Sequence, residues 1–162
     1  MGTPHNNPSW VHQYIETRSH ELAELTSKLV QIPSENPPGD TRIVCNFCEN
    51  WLKERGIPVR RVFADPHMPN LVAVVPGKLK GKGKRLILNA HIDTFPAGDE
   101  SLWEHPPFSG LIEDGNLYGR GAVDMKAGVA AILLITELAA KRADQFSGEL
   151  VLTLASDEET MG

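Results

Sequence analysis

The chain has 162 residues, 41% of them hydrophobic and 23% charged, with a formal net charge of −5. That is an ordinary composition for one soluble globular domain, which would bury roughly 70% of its unfolded surface. The acidic balance gives no basic footprint for nucleic acid or an anionic membrane, and the longest apolar run, Val129 to Ile135, is far too short to cross a bilayer.

Met1 to Asn7 is polar and lacks the charged-then-apolar pattern of a secretory signal. Asn6 stands where a myristoylation site wants Ser or Thr, so a cytoplasmic location is expected. From Ser9 to about Ile32, apolar residues at 11, 15, 22, 25, 29 and 32 follow helical spacing and predict an amphipathic helix with one buried stripe. Pro33 and Pro37-Pro38-Gly39 end it and predict an extended loop. A second helix is expected from about Asp40 to Arg55, with Asp40 or Thr41 as N-cap and Gly56 as its stop.

Cys45 and Cys48 fall within that helix, and they are the only cysteines. Cys-x-x-Cys can mean redox chemistry or half a zinc knuckle. No second ligand pair of matching spacing exists, and Ile43, Val44, Phe47, Trp51 and Leu52 surround the pair. Two small buried side chains one helical turn apart is the favoured reading.

The period then changes. Val59 to Ala64, Leu71 to Val75 and Leu86 to Ala90 are short aliphatic runs bounded by Pro, Gly and Lys, as strands are. The Lys- and Gly-rich stretch 77–84 reads as a solvated hairpin loop, since no Ser or Thr follows a Gly-Lys in P-loop spacing. Asp114-Gly115-Asn116 predicts a tight turn between short strands. Asp124 is expected to open a third helix whose body, 127–140, is apolar on nearly every side and so packs against a sheet. The run Leu150 to Ala155 is apolar on both faces, as a central strand should be. Helices alternating with such strands predict a layered α/β domain.

Three clusters carry chemistry, each at the end of an element. His91 and Asp93 share one side of a strand end, so the carboxylate can accept the imidazole's other N–H while the ring binds a metal. Asp124 is either a helix cap or a carboxylate that gives one oxygen to each of two ions. Gly119 and Gly121 just before it permit unusual dihedrals and close approach, whereas the glycine pattern lacks the third residue of a dinucleotide fingerprint. Glu158 and Glu159 point different ways in an extended or bridge-like backbone, so one can coordinate while the other moves protons; a solvated acidic cluster is the alternative. Imidazole plus carboxylate is a donor set that zinc accepts. The other histidines, His5, His12, His20, His67 and His105, have no comparable carboxylate context in sequence.

The conjunction of Asn89-Ala90-His91-Ile92-Asp93-Thr94, Leu117-Tyr118-Gly119-Arg120-Gly121, Asp124-Met125-Lys126 and Asp157-Glu158-Glu159 closely resembles a known family. It is the zinc-dependent deacylase and exopeptidase family of acetylornithine deacetylase, succinyl-diaminopimelate desuccinylase, aminoacylase and glutamate carboxypeptidase. Ile32-Pro33-Ser34, Asn36-Pro37-Pro38-Gly39, Trp103 and Pro107-Phe108 extend the similarity, from about Leu29 to Gly162, as scaffold or pocket wall.

The resemblance implies a three-layer zinc-exopeptidase-like α/β catalytic domain, its central mixed sheet between helices. It implies two divalent ions, Zn2+ first with Co2+ or Mn2+ as alternatives, with His91 on one, Glu159 on the other and Asp124 bridging. Asp93 would orient His91, and Glu158 would be the general base for hydrolysis of N-acyl amino acids or small peptides. Family chains continue past this length, so residues 1–162 are expected to be the N-terminal part of a C-terminally truncated catalytic domain. A further acidic ligand, a late histidine and a lid for dimerisation and substrate carboxylate would lie beyond. A dipeptidase, a non-catalytic binding or regulatory remnant, and a nucleotide-binding module are the alternatives.

Overall fold

The computed structural model describes residues 9–63 and 65–160. The polar N-terminal stretch and His5 lie outside them, as does Ala64 at the end of the first expected strand. Three helices, α1 (Ser9–Val30), α2 (Arg42–Glu54) and α3 (Ala127–Lys141), accompany strands β1 (Val59–Val62), β2 (Asn70–Pro76), β3 (Lys84–His91) and β6 (Gly148–Ala155). These strands form one mixed sheet in the order β1-β2-β6-β3, with β2 antiparallel to β1 and β6, and β3 parallel to β6. A separate two-residue ribbon joins β4 (Ile112–Glu113) to β5 (Asn116–Leu117).

The ribbon follows from its turn. Asp114 and Gly115 both take positive φ, 49° and 79°, the geometry that matches the twist of a two-residue hairpin. The stop of α2 is equally local: Ile57 N–H donates to Leu52 O at 3.0 Å and Gly56 N–H to Lys53 O at 2.9 Å, with Gly56 at φ 69°. This is a Schellman closure, and it buries Ile57. At the other end of α2 the Thr41 side chain makes no cap, and the Asp40 carboxylate accepts the Arg42 N–H at 3.2 Å.

Burial alternates along β2, where Leu71, Ala73 and Val75 are inside, and along β6, where Leu150, Leu152 and Leu154 are inside. These side chains share one core with Val44, Cys45, Cys48, Trp51 and Leu52 of α2, Leu25 and Leu29 of α1, and Val129, Ala130 and Leu133 of α3. Each fully buried leucine contributes about 1.5–3 kcal/mol relative to exposure. The α/β class and mixed sheet are as expected. Of the three expected layers, the described residues supply the sheet and the helices on one face; Val74 and Ile87, on other positions of the pleat, stay exposed.

Three local expectations are corrected. Residues 78–84 are exposed, but 77–84 do not close a hairpin, because β6 inserts between β2 and β3 and pairs with both. The Pro37-Pro38-Gly39 segment is a tight turn, with Gly39 at φ 81° and its N–H on Glu35 O at 3.0 Å, rather than an extended loop. The buried stripe of α1 begins only near Leu22; Ile15 is 60% exposed, because this half of the helix meets α3 through polar contacts, Tyr14 Oη to Leu134 O and Arg18 to Glu137.

Candidate metal centre

Parallel pairing of β3 with β6 sets His91 opposite Ala155, so the chain leaves both strands at the same edge of the sheet. Helix α3 connects the two strands, and a crossover of this kind starts near the carboxyl end of the strand it leaves. Three sequence-distant segments, 91–94, 119–126 and 156–160, therefore converge on one edge. The strand-like segment Ser34–Asn36 joins them: Thr94 N–H donates to Ser34 O, and Asn36 N–H to Thr94 O, both at 2.9 Å.

His91 is buried, with Nε2 3.0 Å from Asp124 Oδ1 and 3.8 Å from Glu158 Oε2. Its Nδ1 stands 3.0 Å from the Asp93 carbonyl oxygen and 3.4 Å from Asp93 Oδ1. The shorter contact is to the Asp93 main chain, and the Asp93 carboxylate lies just beyond it. That carboxylate, opposed by burial and helped by Asp124, raises the imidazole to about 9. Asp93 is itself fully buried, which alone would favour its neutral form. Contacts from His91, Asn36 and the N–H groups of Glu159 and Glu158 outweigh burial and hold it at about 2.

His91, Asp124 and Glu159 each present one ligand atom, all within 4.8 Å of one another. The Phe95 N–H donates to Glu159 Oε1 at 3.0 Å and the Glu159 N–H to Asp93 Oδ2 at 3.0 Å, which ties this carboxylate to the β3 exit. The donors are one neutral-capable nitrogen and carboxylate oxygens, the set a borderline divalent ion takes. Asp93 Oδ1 is buried without a hydrogen-bond partner. A proton or a cation on the other side of the imidazole would satisfy it electrostatically. The residues present fit a metal ion.

One expectation for this region is corrected. Asp124 does not cap α3, which begins three residues later with Lys126 in the N-cap position. Asp124 is in extended backbone, φ −116° and ψ 98°, and its side chain is 77% exposed. Glu158 and Glu159 lie in a turn just after β6, and both approach His91. Two other histidines do have carboxylate neighbours, His67 with Asp65 at 3.2 Å and His20 with Glu24 at 3.7 Å, but these are exposed surface pairs.

Gly119 and Gly121 meet their expected need. A Cβ on Gly119 (φ 147°) would fall 2.3 Å from Val30 Cγ1, and one on Gly121 (φ 79°) 2.5 Å from Thr94 Cγ2. Sequence reasoning missed two contributors. Buried Asn36 Nδ2 is 3.0 Å from Asp93 Oδ2, 2.7 Å from Asp157 Oδ1 and 3.2 Å from Thr160 Oγ1, linking all the segments but one. Lys126 is fully buried, donates from Nζ to Ile32 O at 2.6 Å, and is lowered to about 8 by that burial. Their only sequence signal was membership in the quoted motif blocks. Cys45 and Cys48 are buried in the core, and burial pushes the Cys45 thiol up to about 11 and Cys48 further.

A cleft of about 510 Å³ opens beside the cluster, lined by Asp124, Glu159, Phe95, Tyr118 and Arg120 among others. A larger apolar groove of about 620 Å³ lies between α3 and the start of β3, lined by Leu86, Leu138 and Phe146, and contains none of the clustered ligands.

Fold and site together define an α/β protein with a candidate metal centre at the carboxyl ends of its parallel strands. Residues 87–162 match peptidase family M20/M25/M40. It is 35% identical over 137 residues to succinyl-diaminopimelate desuccinylase of Methylobacterium nodulans, a match covering 83% of this chain and 34% of that protein. The chain thus spans about a third of the length of that relative. The fold is similar to that of the di-peptidase Dug1p from Saccharomyces cerevisiae, with a TM-score of 0.75 at 20% identity over 94% of this chain and 35% of that one. Human carnosine dipeptidase 1 matches with a TM-score of 0.75 at 21% identity, over 95% of this chain and 35% of its own. No helix among the described residues is long and apolar enough to cross a membrane.

Proposed function

We propose that this chain carries half of a dinuclear metal centre that hydrolyses an amide bond in N-acyl amino acids. The observation that carries the proposal is the convergence of His91, Asp124 and Glu159 within 4.8 Å. His91 Nε2 would hold one ion and Glu159 the other, with Asp124 giving an oxygen to each. Zn2+ suits the donor set best, with Co2+ or Mn2+ as substitutes. When bound, such ions polarise a carbonyl and bring the pKa of water toward neutrality.

The protein's own groups then have distinct tasks. Asp93 holds the His91 ring so that Nε2 faces Asp124. Glu158 is exposed and its Oε2 stands 3.8 Å from His91 Nε2, close enough to the cluster to serve the reacting atoms without being one of the three ligands. It takes a proton from the attacking water and delivers it to the departing amine nitrogen. The further acidic residue and late histidine that would complete the ligand sets lie, on this proposal, in a portion of the protein outside these 162 residues, together with the surface for homodimer formation.

Likeness to a desuccinylase at the level of sequence supports deacylation; a dipeptidase of the same family is the second reading, supported by likeness of fold alone. Metal analysis of the intact protein tests the proposal. Two ions per chain, falling below one tightly bound ion in His91→Ala, are expected. Full metal content in His91→Ala would overturn it, and so would failure of the metal-loaded protein to hydrolyse any N-acyl amino acid or dipeptide.

A further inference from the structure

Asn36 ties together every segment of the candidate metal centre except 119–126, the one that carries Asp124. The Asp124 side chain is 77% exposed, and among the described residues its carboxylate has one hydrogen-bond partner, His91 Nε2. Its place is therefore set by its own backbone, and Lys126, two residues on, holds that backbone. The Lys126 N–H donates to Gly121 O at 2.8 Å, which closes the segment on itself. The side chain runs inward and donates from Nζ to Ile32 O at 2.6 Å. Ile32 leads into Ser34, whose Oγ donates to Ile92 O at 2.7 Å, next to His91 in the chain. Both sides of the His91–Asp124 contact are thus referenced to one short segment, 32–34: His91 through Ser34, and Asp124 through Lys126.

Lys126 is fully buried and forms no ion pair among the described residues. Burying an ammonium costs far more than burying a methionine of about the same length, so filling space does not account for it. What the ammonium adds is a charged hydrogen bond to a main-chain carbonyl, stronger than a neutral one. We propose that Lys126 is a positioning residue for the candidate metal centre, its bond to Ile32 O setting Asp124 opposite His91. This rests on the metal-centre reading, and it gives Lys126 no contact with metal or substrate; the side chain does not line the cleft.

The test is Co2+ titration of the intact protein and of Lys126→Met, which keeps the length and the apolar stem and removes the donor. Visible d–d bands report the coordination geometry, and thermal melts with and without Co2+ accompany them. Affinity for Co2+ is expected to fall about tenfold to a hundredfold in Lys126→Met, the usual effect of losing a group that orients a ligand. The d–d spectrum should change, and the metal-induced rise in Tm should shrink. A residue that only supports the core would lower the metal-free Tm and leave affinity and spectrum as they were, and that result overturns the proposal. Should Lys126→Met not fold, Lys126→Gln, too short to reach Ile32 O, takes its place with the same expectation. Failure of both to fold assigns Lys126 to the core and overturns its positioning role. Absence of Co2+ binding in the parent protein would remove the metal-centre reading and this proposal together, whereas equal binding by parent and variant removes this proposal alone.

Discussion

His91 and Ala155 are register partners on neighbouring parallel strands. That pairing delivers the imidazole and, a few residues later, Glu158 and Glu159 to the same edge of the sheet. In an antiparallel arrangement the two exits would lie at opposite ends, and the cluster could not form.

Glu158→Gln should lower turnover about 10²- to 10⁴-fold, the usual contribution of a positioned acid–base group, while metal content stays intact. Metal analysis beside steady-state hydrolysis of an N-acyl amino acid checks this. Metal loss in parallel with activity would reassign Glu158 as a ligand.

The metal-free protein should lose stability as pH rises from about 6.5 to about 9. His91 is raised from 6.5 to about 9 in the folded state. A group whose folded value is raised contributes stability that is complete below its unfolded value and gone above its folded one. Urea melts at pH 6 and pH 9.5 in chelator would show the difference, and His91→Asn should flatten it. Because a cation competes with the same proton at Nε2, metal affinity should strengthen with pH across that window.

Asn36→Ala should destabilise the protein by about 1–3 kcal/mol, because it removes one of the two hydrogen-bond donors to the buried Asp93 Oδ2. Metal affinity should fall too, since Asn36 joins the β3 exit to Asp157 in the β6 exit. Denaturant melts and metal titration of the same variant check both. Unchanged metal affinity would confine Asn36 to a structural role.

Neither thiol should react with a disulfide reagent in the native protein at pH 8, whereas both should react once it is unfolded. Cys45 and Cys48 are buried, and burial holds both thiols in the protonated, unreactive form. Rapid native labelling of two thiols would revive redox chemistry at this pair.

Local rules made much of this chain legible. Gly56 stops α2, Asp114-Gly115 turns the β4–β5 ribbon, and the doubly apolar run 150–155 is the inner strand β6. These succeed because turn chemistry and side-chain period act within a few residues. Where they failed, a distant partner decided. Residues 77–84 look like a hairpin until β6 inserts, and Ile15 belongs to the apolar stripe by spacing but lies where α1 meets α3 through polar contacts.

The sequence by itself determined which residue types were available for chemistry: one imidazole and several carboxylates at element ends, with glycines where side chains could not fit. Only tertiary structure decided that they meet. Parallel register between β3 and β6 aligns two exits, and α3 brings Asp124 to the third side. It also decided that Asn36 ties these loops together. The physical reason is that pairing between strands and burial of polar groups are satisfied by partners tens of residues away, which no local pattern encodes.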